Sequence, residues 1–307
     1  MKTFFGIVGG NGWIGGSTAR AVVAAGLVSP RDLTLSCRRA PPAWLPEAHW
    51  THDNQELAGR SDVVILSVRP QDWPSVRISA PGKLVISFMA GVTLNDIATR
   101  LGTERVVRAL PNAAAEVGLS YTPWTATELV SAEDREIVQR LLGTFGSGDE
   151  LESEAQIDYM TGLSGAGPAY PALLAASLIR DAIANGLAPE AARRSVVALM
   201  VGAGRLLEKP GADPQATVAT FVDYRGVIAA AIETMLAPIA VVERTSLATA
   251  KELWNSLFSV VPSAPDSRAM RTASFICPRI CGSPSTIESS PLATRKAWRT
   301  ASRSGCA

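Results

Sequence analysis

The sequence predicts an α/β chain, with an N-terminal doubly wound parallel sheet followed by an all-α region. Short apolar runs alternate with helical periodicities over roughly the first 150 residues. That alternation implies right-handed crossovers and a mostly parallel sheet. Beyond about residue 150 the strand signal stops and only helical segments follow. A length of 307 residues also favours two domains over one. The expected division is an α/β domain over 1–150, a helical domain over 151–261 and a tail over 262–307.

Each element has its own warrant. Phe4–Val8 is an apolar run ending in Gly9-Gly10 and reads as a buried strand. Gly15–Ala25 reads as a helix closed by Gly26. Asp32–Cys37, Asp62–Val68, Leu84–Phe88 and Arg105–Leu110 are further strands, with Pro70 and Pro111 stopping two of them. Leu94–Leu101 reads as a helix that stops at Gly102. His49 and His52 fall in a Pro-rich connector near Trp44 and Trp50 and read as surface loop residues. In the second region Glu152–Leu163, Pro168–Asn185, Pro189–Glu208 and Pro214–Val222 read as helices. The helix from Pro168 is apolar nearly all round and must be covered on most sides. A helical domain of about 110 residues hides such helices best by interleaving with a second copy. Gly202 and Gly204 would permit a close backbone approach.

Composition excludes several classes. Hydrophobic residues make up 47% and charged residues 19%, which is a globular balance rather than a disordered one. The net charge of +1 gives no field favouring nucleic acid or an anionic membrane. No uninterrupted apolar stretch is long enough to span a bilayer, and the first apolar run stops at Gly9, short of a secretory segment. The four cysteines, Cys37, Cys277, Cys281 and Cys306, show no paired metal-ligand spacing. A reducing cytoplasm is expected, with no metal. The segment 262–307 carries seven basic residues against two acidic ones, lacks apolar periodicity and is expected to be disordered.

Two motifs carry chemistry. Gly10-Asn11-Gly12-Trp13-Ile14-Gly15 fits G-x-G-x-x-G between a strand and a helix. In this reading Gly10 makes the tight turn, Gly12 lets backbone approach a pyrophosphate, and Gly15 lets helix and strand pack, as in a Rossmann-like dinucleotide site. The second strand ends Ser36-Cys37-Arg38-Arg39, with no carboxylate for a ribose 2′-hydroxyl and two arginines suited to a 2′-phosphate. This favours NADP over NAD. Val68-Arg69-Pro70-Gln71 follows the third strand and flanks the same crevice. The second motif is Ser164-Gly165-Ala166-Gly167-Pro168, read as a flexible loop of bare N–H groups at a helix start and hence as an anion seat. No Ser-His-Asp set competes, and Asp158 and Tyr159 read as ordinary helix-face residues.

With these motifs in order, the chain resembles the pyrroline-5-carboxylate reductases over about residues 4–250. The resemblance rests on Gly10-Asn11-Gly12 with Gly15, Val68-Arg69-Pro70-Gln71, Ala90-Gly91-Val92, Arg108 with Pro111-Asn112, and Leu163 to Tyr170. It implies a Rossmann domain followed by a helical dimerisation domain, a homodimer or ring of dimers, and NADPH-dependent reduction of the cyclic imine 1-pyrroline-5-carboxylate to proline. It also implies cofactor contacts at Ala90, Gly91 and Asn112, and a substrate wall at Ser164–Pro168. Three departures stand out. Ala113-Ala114 replace a Thr-Pro, and Ala176 and Arg180 stand where the family commonly has a Glu and an Asp. The family's Ser-Pro-Gly-Gly-Thr-Thr loop is Asp223-Tyr224-Arg225-Gly226-Val227-Ile228 here. The substitutions suggest that Arg225 grips the substrate carboxylate and Tyr224 meets the ring nitrogen, with Gly226 in the same loop. A related imine or keto-acid reductase, or an impaired NADP-binding paralogue, remains the alternative.

Overall fold

In the computed structural model, residues 2–223 and Arg225 are described. The first half is built on a seven-stranded sheet in the order β3-β2-β1-β4-β5-β6-β8. Its strands are β1 (Phe5–Val8), β2 (Leu33–Ser36), β3 (His49–Thr51), β4 (Val63–Leu66), β5 (Leu84–Ser87), β6 (Val106–Ala109) and β8 (Trp124–Ala126). All pairs are parallel except β6 with β8. Two very short strands, β7 (Ser120–Tyr121) and β9 (Gly146–Ser147), pair beside it.

The continuous apolar runs are strands because they are buried on both faces. On one face α1 (Trp13–Ala24) and α4 (Ala132–Gly143) pack through Ala19, Val22, Val138 and Leu141 against Ile7, Leu35 and Ile65. On the other, α2 (Asn54–Gly59) and α3 (Leu94–Leu101) supply Leu57, Ala58, Ile97 and Leu101 against Val8, Val64 and Val85. Helix α3 forms where the sequence reading put it. Thr93 caps its first turn by accepting from Asp96 N at 3.1 Å, and Gly102 closes it in the left-handed region at φ 69°.

All described strands precede residue 148, and helices follow: α5 (Glu154–Met160), α6 (Ala169–Ala184), α7 (Pro189–Leu207) and α8 (Pro214–Asp223). Helices α6 and α7 pack on each other across the turn at Gly186. Among the described residues no helix is long and apolar enough to cross a membrane. The tail over 262–307, expected to be disordered, lies outside the described residues.

Two expectations need correction. His49 is not a loop residue; it opens edge strand β3, and its ring pairs with Glu56 at 2.7 Å. The helix expected over Glu152–Leu163 ends at Met160, and Thr161–Gly165 continues it as a π turn.

Candidate functional site

The chain leaves β1 at Gly9, and the neighbours of β1 are β2 and β4. The connections therefore diverge at this strand, and the crevice above its carboxyl end is where open α/β sheets bind ligands. The turn is tight. Gly9, not Gly10, supplies the left-handed backbone at φ 83°, and a Cβ there would lie 2.4 Å from Ser67 O. Gly10 has a different task. Its N–H donates to Ser36 O at 2.9 Å, and a Cβ would meet Leu35 Cδ2 at 2.9 Å, so it seats the turn against β2. Gly15 packs helix on strand, since a Cβ there would sit 2.5 Å from Gly9 O.

Helix α1 starts at this turn with Gly12 as its N-cap and with no acidic residue in its first turn. Its intrahelical bonding begins when Gly16 N reaches Gly12 O at 2.8 Å. The amides of Trp13, Ile14 and Gly15 thus point out of the helix start beside Asn11, as an anion cradle requires. Trp13 lies on the lip, largely exposed, and its indole N–H donates to Glu116 Oε1 at 2.5 Å.

The flanking loops bring the arginines. Asp72, in the turn after Val68-Arg69-Pro70, accepts from Arg69 Nε at 3.0 Å and from Arg38 Nη2 at 3.3 Å. The hydrogen bond from Arg69 holds the Asp72 carboxyl below its ordinary range, with Arg38 adding to the effect. Arg38, Arg69 and Asp72 therefore bridge the ends of β2 and β4 above the glycine turn. Ser36 Oγ is committed to Asn54 Oδ1 at 2.6 Å, and Arg39 is exposed in the same loop. Ala90 and Gly91 turn the chain after β5, with Gly91 at φ 69°.

The second motif differs from its expectation. Ala166 N donates to Thr161 O at 3.1 Å, Gly167 N to Ser164 O at 3.2 Å, and Ala169 N to Ala166 O at 2.9 Å. These amides are spent inside the turn, so the segment is no seat of bare N–H groups. The π turn instead fixes Ser164 and Gly165 against the strand ends. Asn112 Nδ2 donates to Ser164 O at 2.9 Å, and the Asn112 backbone is itself pinned by Ser120 Oγ at 3.0 Å. A side chain at Gly167 would crowd the turn, because a Cβ would come 3.0 Å from Leu163 O. Pro168 caps α6.

Arg108 is among the residues that carry the resemblance, but its pairing escaped the sequence reading. Arg108, in the middle of β6, is buried, and its guanidinium pairs with both Glu154 and Asp158 of α5. Asp158 is therefore not a plain surface residue. The available signal was a lone arginine inside the apolar run Val106 to Leu110, together with two acids four residues apart.

Of the third group, Tyr224 and Gly226 lie outside the described residues. Arg225 is exposed, with a left-handed φ of 56°. By the correspondence drawn in the sequence, it stands where the family loop has a glycine.

The chain matches pyrroline-5-carboxylate reductase from Arabidopsis thaliana with 32% identity over 216 residues, covering 67% of this chain and 77% of that protein. The chain belongs to the pyrroline-5-carboxylate reductase family. A Synechocystis pyrroline-5-carboxylate reductase is 29% identical over 222 residues, covering 70% of this chain and 82% of that one. Residues 154–250 match the family model for pyrroline-5-carboxylate reductase dimerisation, and residues 5–91 match the model for NADP oxidoreductase, coenzyme F420-dependent. The solved pyrroline-5-carboxylate reductase of Coxiella burnetii aligns with a TM-score of 0.73 at 25% identity, covering 84% of this chain and 99% of that one. The Plasmodium falciparum pyrroline carboxylate reductase, solved with NADP bound, shares the fold with a TM-score of 0.72 at 22% identity, covering 83% and 98%.

Proposed function

We propose that this protein is an NADPH-dependent reductase that converts 1-pyrroline-5-carboxylate to proline. The observation that carries the reading is the Asn112 to Ser164 contact at 2.9 Å. It joins the strand ends that border the cofactor crevice to the turn that the resemblance assigns to the substrate wall.

The residues present fit a dinucleotide. Gly12 leaves the helix start uncovered, no acid opposes a diphosphate in the first turn of α1, and no acid closes β2 against a 2′-phosphate. When bound, reduced nicotinamide supplies the hydride that adds to the C=N carbon. The chain's own part is to bind and orient. The amides of Trp13, Ile14 and Gly15 hold the diphosphate, and Arg38 and Arg39 hold the 2′-phosphate. Val68, Arg69, Pro70, Ala90, Gly91 and Asn112 line the crevice. Ser164–Pro168 form the wall that keeps the imine against the strand ends and excludes water. The imine nitrogen enters protonated and keeps that proton as the amine N–H, so the protein need not relay one. Arg225 takes the substrate carboxylate bidentately, with Tyr224 and Gly226 in the same loop. Hydride transfer to an iminium asks little beyond this positioning.

The assembly is a homodimer formed through the helical half, and the site of action is the cytoplasm. Support for the dimer comes from Leu173, Leu199 and Val201, which stay exposed in one chain. Following NADPH oxidation with pyrroline-5-carboxylate and then with other cyclic imines tests the reading. Turnover with the first is expected. Turnover only with other imines, or NADPH binding with no turnover at all, overturns it.

A further inference from the structure

We propose that Arg108 is a positioning residue for the Thr161–Gly165 turn, acting through Glu154 and Asp158. The inference rests on the imine-reductase reading for its kinetic arm alone.

A guanidinium that is 2% exposed survives burial only when it is paired and hydrogen-bonded. Arg108 meets that condition at both Nη atoms through two carboxylates of one helix, while its buried Nε has no partner among the described residues. Nη1 pairs with Glu154 and Nη2 reaches Asp158 Oδ1 at 3.0 Å. These acids are four residues apart and so lie on one face of α5. Glu154 Oε1 also accepts Leu94 N, the first amide of α3, at 2.9 Å. Strand β6, helix α3 and helix α5 therefore converge on a single carboxylate.

The contact continues toward the site with the period of a strand. Leu110, two residues beyond Arg108, lies 3.4 Å from where a Gly165 Cβ would be. Asn112, two further on, donates to Ser164 O. Alternate residues of an extended chain face one side, so Arg108, Leu110 and Asn112 form a single rail for α5 and its turn. Helix and turn are mechanically continuous, since Thr161 Oγ1 donates to Ile157 O and Ser164 Oγ to Met160 O, each at 3.2 Å. The lever from Glu154 to Ser164 is about 15 Å at a helical rise of roughly 1.5 Å per residue. A tilt of about 4° at the Arg108 end then moves Ser164 by about 1 Å, a displacement that costs a reaction up to about 100-fold.

Each acid alone is the gentler probe, because the other carboxylate still pairs the buried guanidinium, whereas Arg108→Met removes both ion pairs at once. In the full-length protein, Glu154→Ala and Asp158→Ala are expected to lower kcat about tenfold while NADPH affinity, read by fluorescence, stays within about twofold. Amide hydrogen exchange should quicken over residues 161–170 and stay unchanged over residues 5–20. Glu154→Gln keeps the acceptor for Leu94 N and should restore most of the protection. If exchange rises in both segments and NADPH affinity falls with kcat, the pair is a general stabiliser and the proposal fails. It fails equally if exchange over 161–170 does not move. If the wild-type protein does not reduce pyrroline-5-carboxylate, the activity reading is lost, and the exchange experiment still decides the role of Arg108.

Discussion

The two halves of this chain solve burial differently. In the sheet half the apolar residues vanish from the surface, and Ile7, Leu35, Ile65 and Ile86 are each 0% exposed. In the helical half α6 has no buried residue, and Leu173 is 71% exposed. The first half carries its core within one chain. The second presents a core surface that a monomer leaves in water, and patches of that kind mark an interface. The glycine turn belongs to the self-sufficient half, whereas the Thr161–Gly165 turn leads directly into the helices whose apolar face stays exposed.

A charge on the helical face tests this contrast most severely. Burying one leucine is worth about 1.5–3 kcal/mol, and a symmetric interface counts the residue twice. Leu173→Glu should weaken self-association at least about 100-fold and leave NADPH affinity almost unchanged. Light scattering and a cofactor titration on one sample check both statements. A variant that keeps its mass would break the comparison.

The converse change belongs in the sheet half. Gly15→Ala would force a Cβ against Gly9 O, which is backbone and cannot yield cheaply. Overpacking of this kind costs about 1–3 kcal/mol, so the melting temperature should fall by several degrees and NADPH binding should suffer with it. The association constant should not change.

The same contrast governs what the sequence disclosed. Strands buried on both faces are legible because burial demands unbroken apolar runs, and Val63–Leu66 and Leu84–Ser87 are of that kind. Strand His49–Thr51 was not legible. It is three residues long, sits at the sheet edge and follows a Pro-rich stretch, so neither period nor run length marks it. Thr161–Gly165 was misread for another reason. Glycine permits a loop, but here the hydrogen bonds from Asn112 and Tyr170 to this segment accompany a π turn that local composition did not announce. The Arg108 pairing depends on residues 46 and 50 positions apart. Such contacts leave only an oddity in the sequence, a charge where the strand should be apolar. At the glycine turn the strand–turn–helix context is as expected, but the left-handed residue is Gly9 rather than Gly10. Which glycine bends depends on how closely β2 and β4 approach, and that is a tertiary fact.

Cofactor choice sharpens the contrast at a smaller scale. If the sheet half alone selects the dinucleotide, Arg38→Ala should raise the Kd for NADPH about tenfold, the weight of one charge-assisted hydrogen bond, and leave NADH within about twofold. The difference should shrink as salt rises, since Arg38 is exposed. Equal losses for the two cofactors would place the 2′-phosphate elsewhere.

The smallest effect is the most diagnostic because its sign differs with the assembly. Gly202 lies inside α7, and a Cβ there meets nothing within 4 Å among the described residues. In a helix alanine is favoured over glycine by about 0.8–1.0 kcal/mol. Taken as a single chain, Gly202→Ala should therefore be slightly stabilising. If a second copy brings its backbone against this position, the added methyl holds the helices apart and association weakens instead. We expect the melting temperature to rise by about 2–4 °C in a Leu173→Glu background and the dimer to dissociate more readily in the otherwise native chain. A rise in both backgrounds would show that the copies meet on another part of the helical face, and that α7 needs no partner at Gly202.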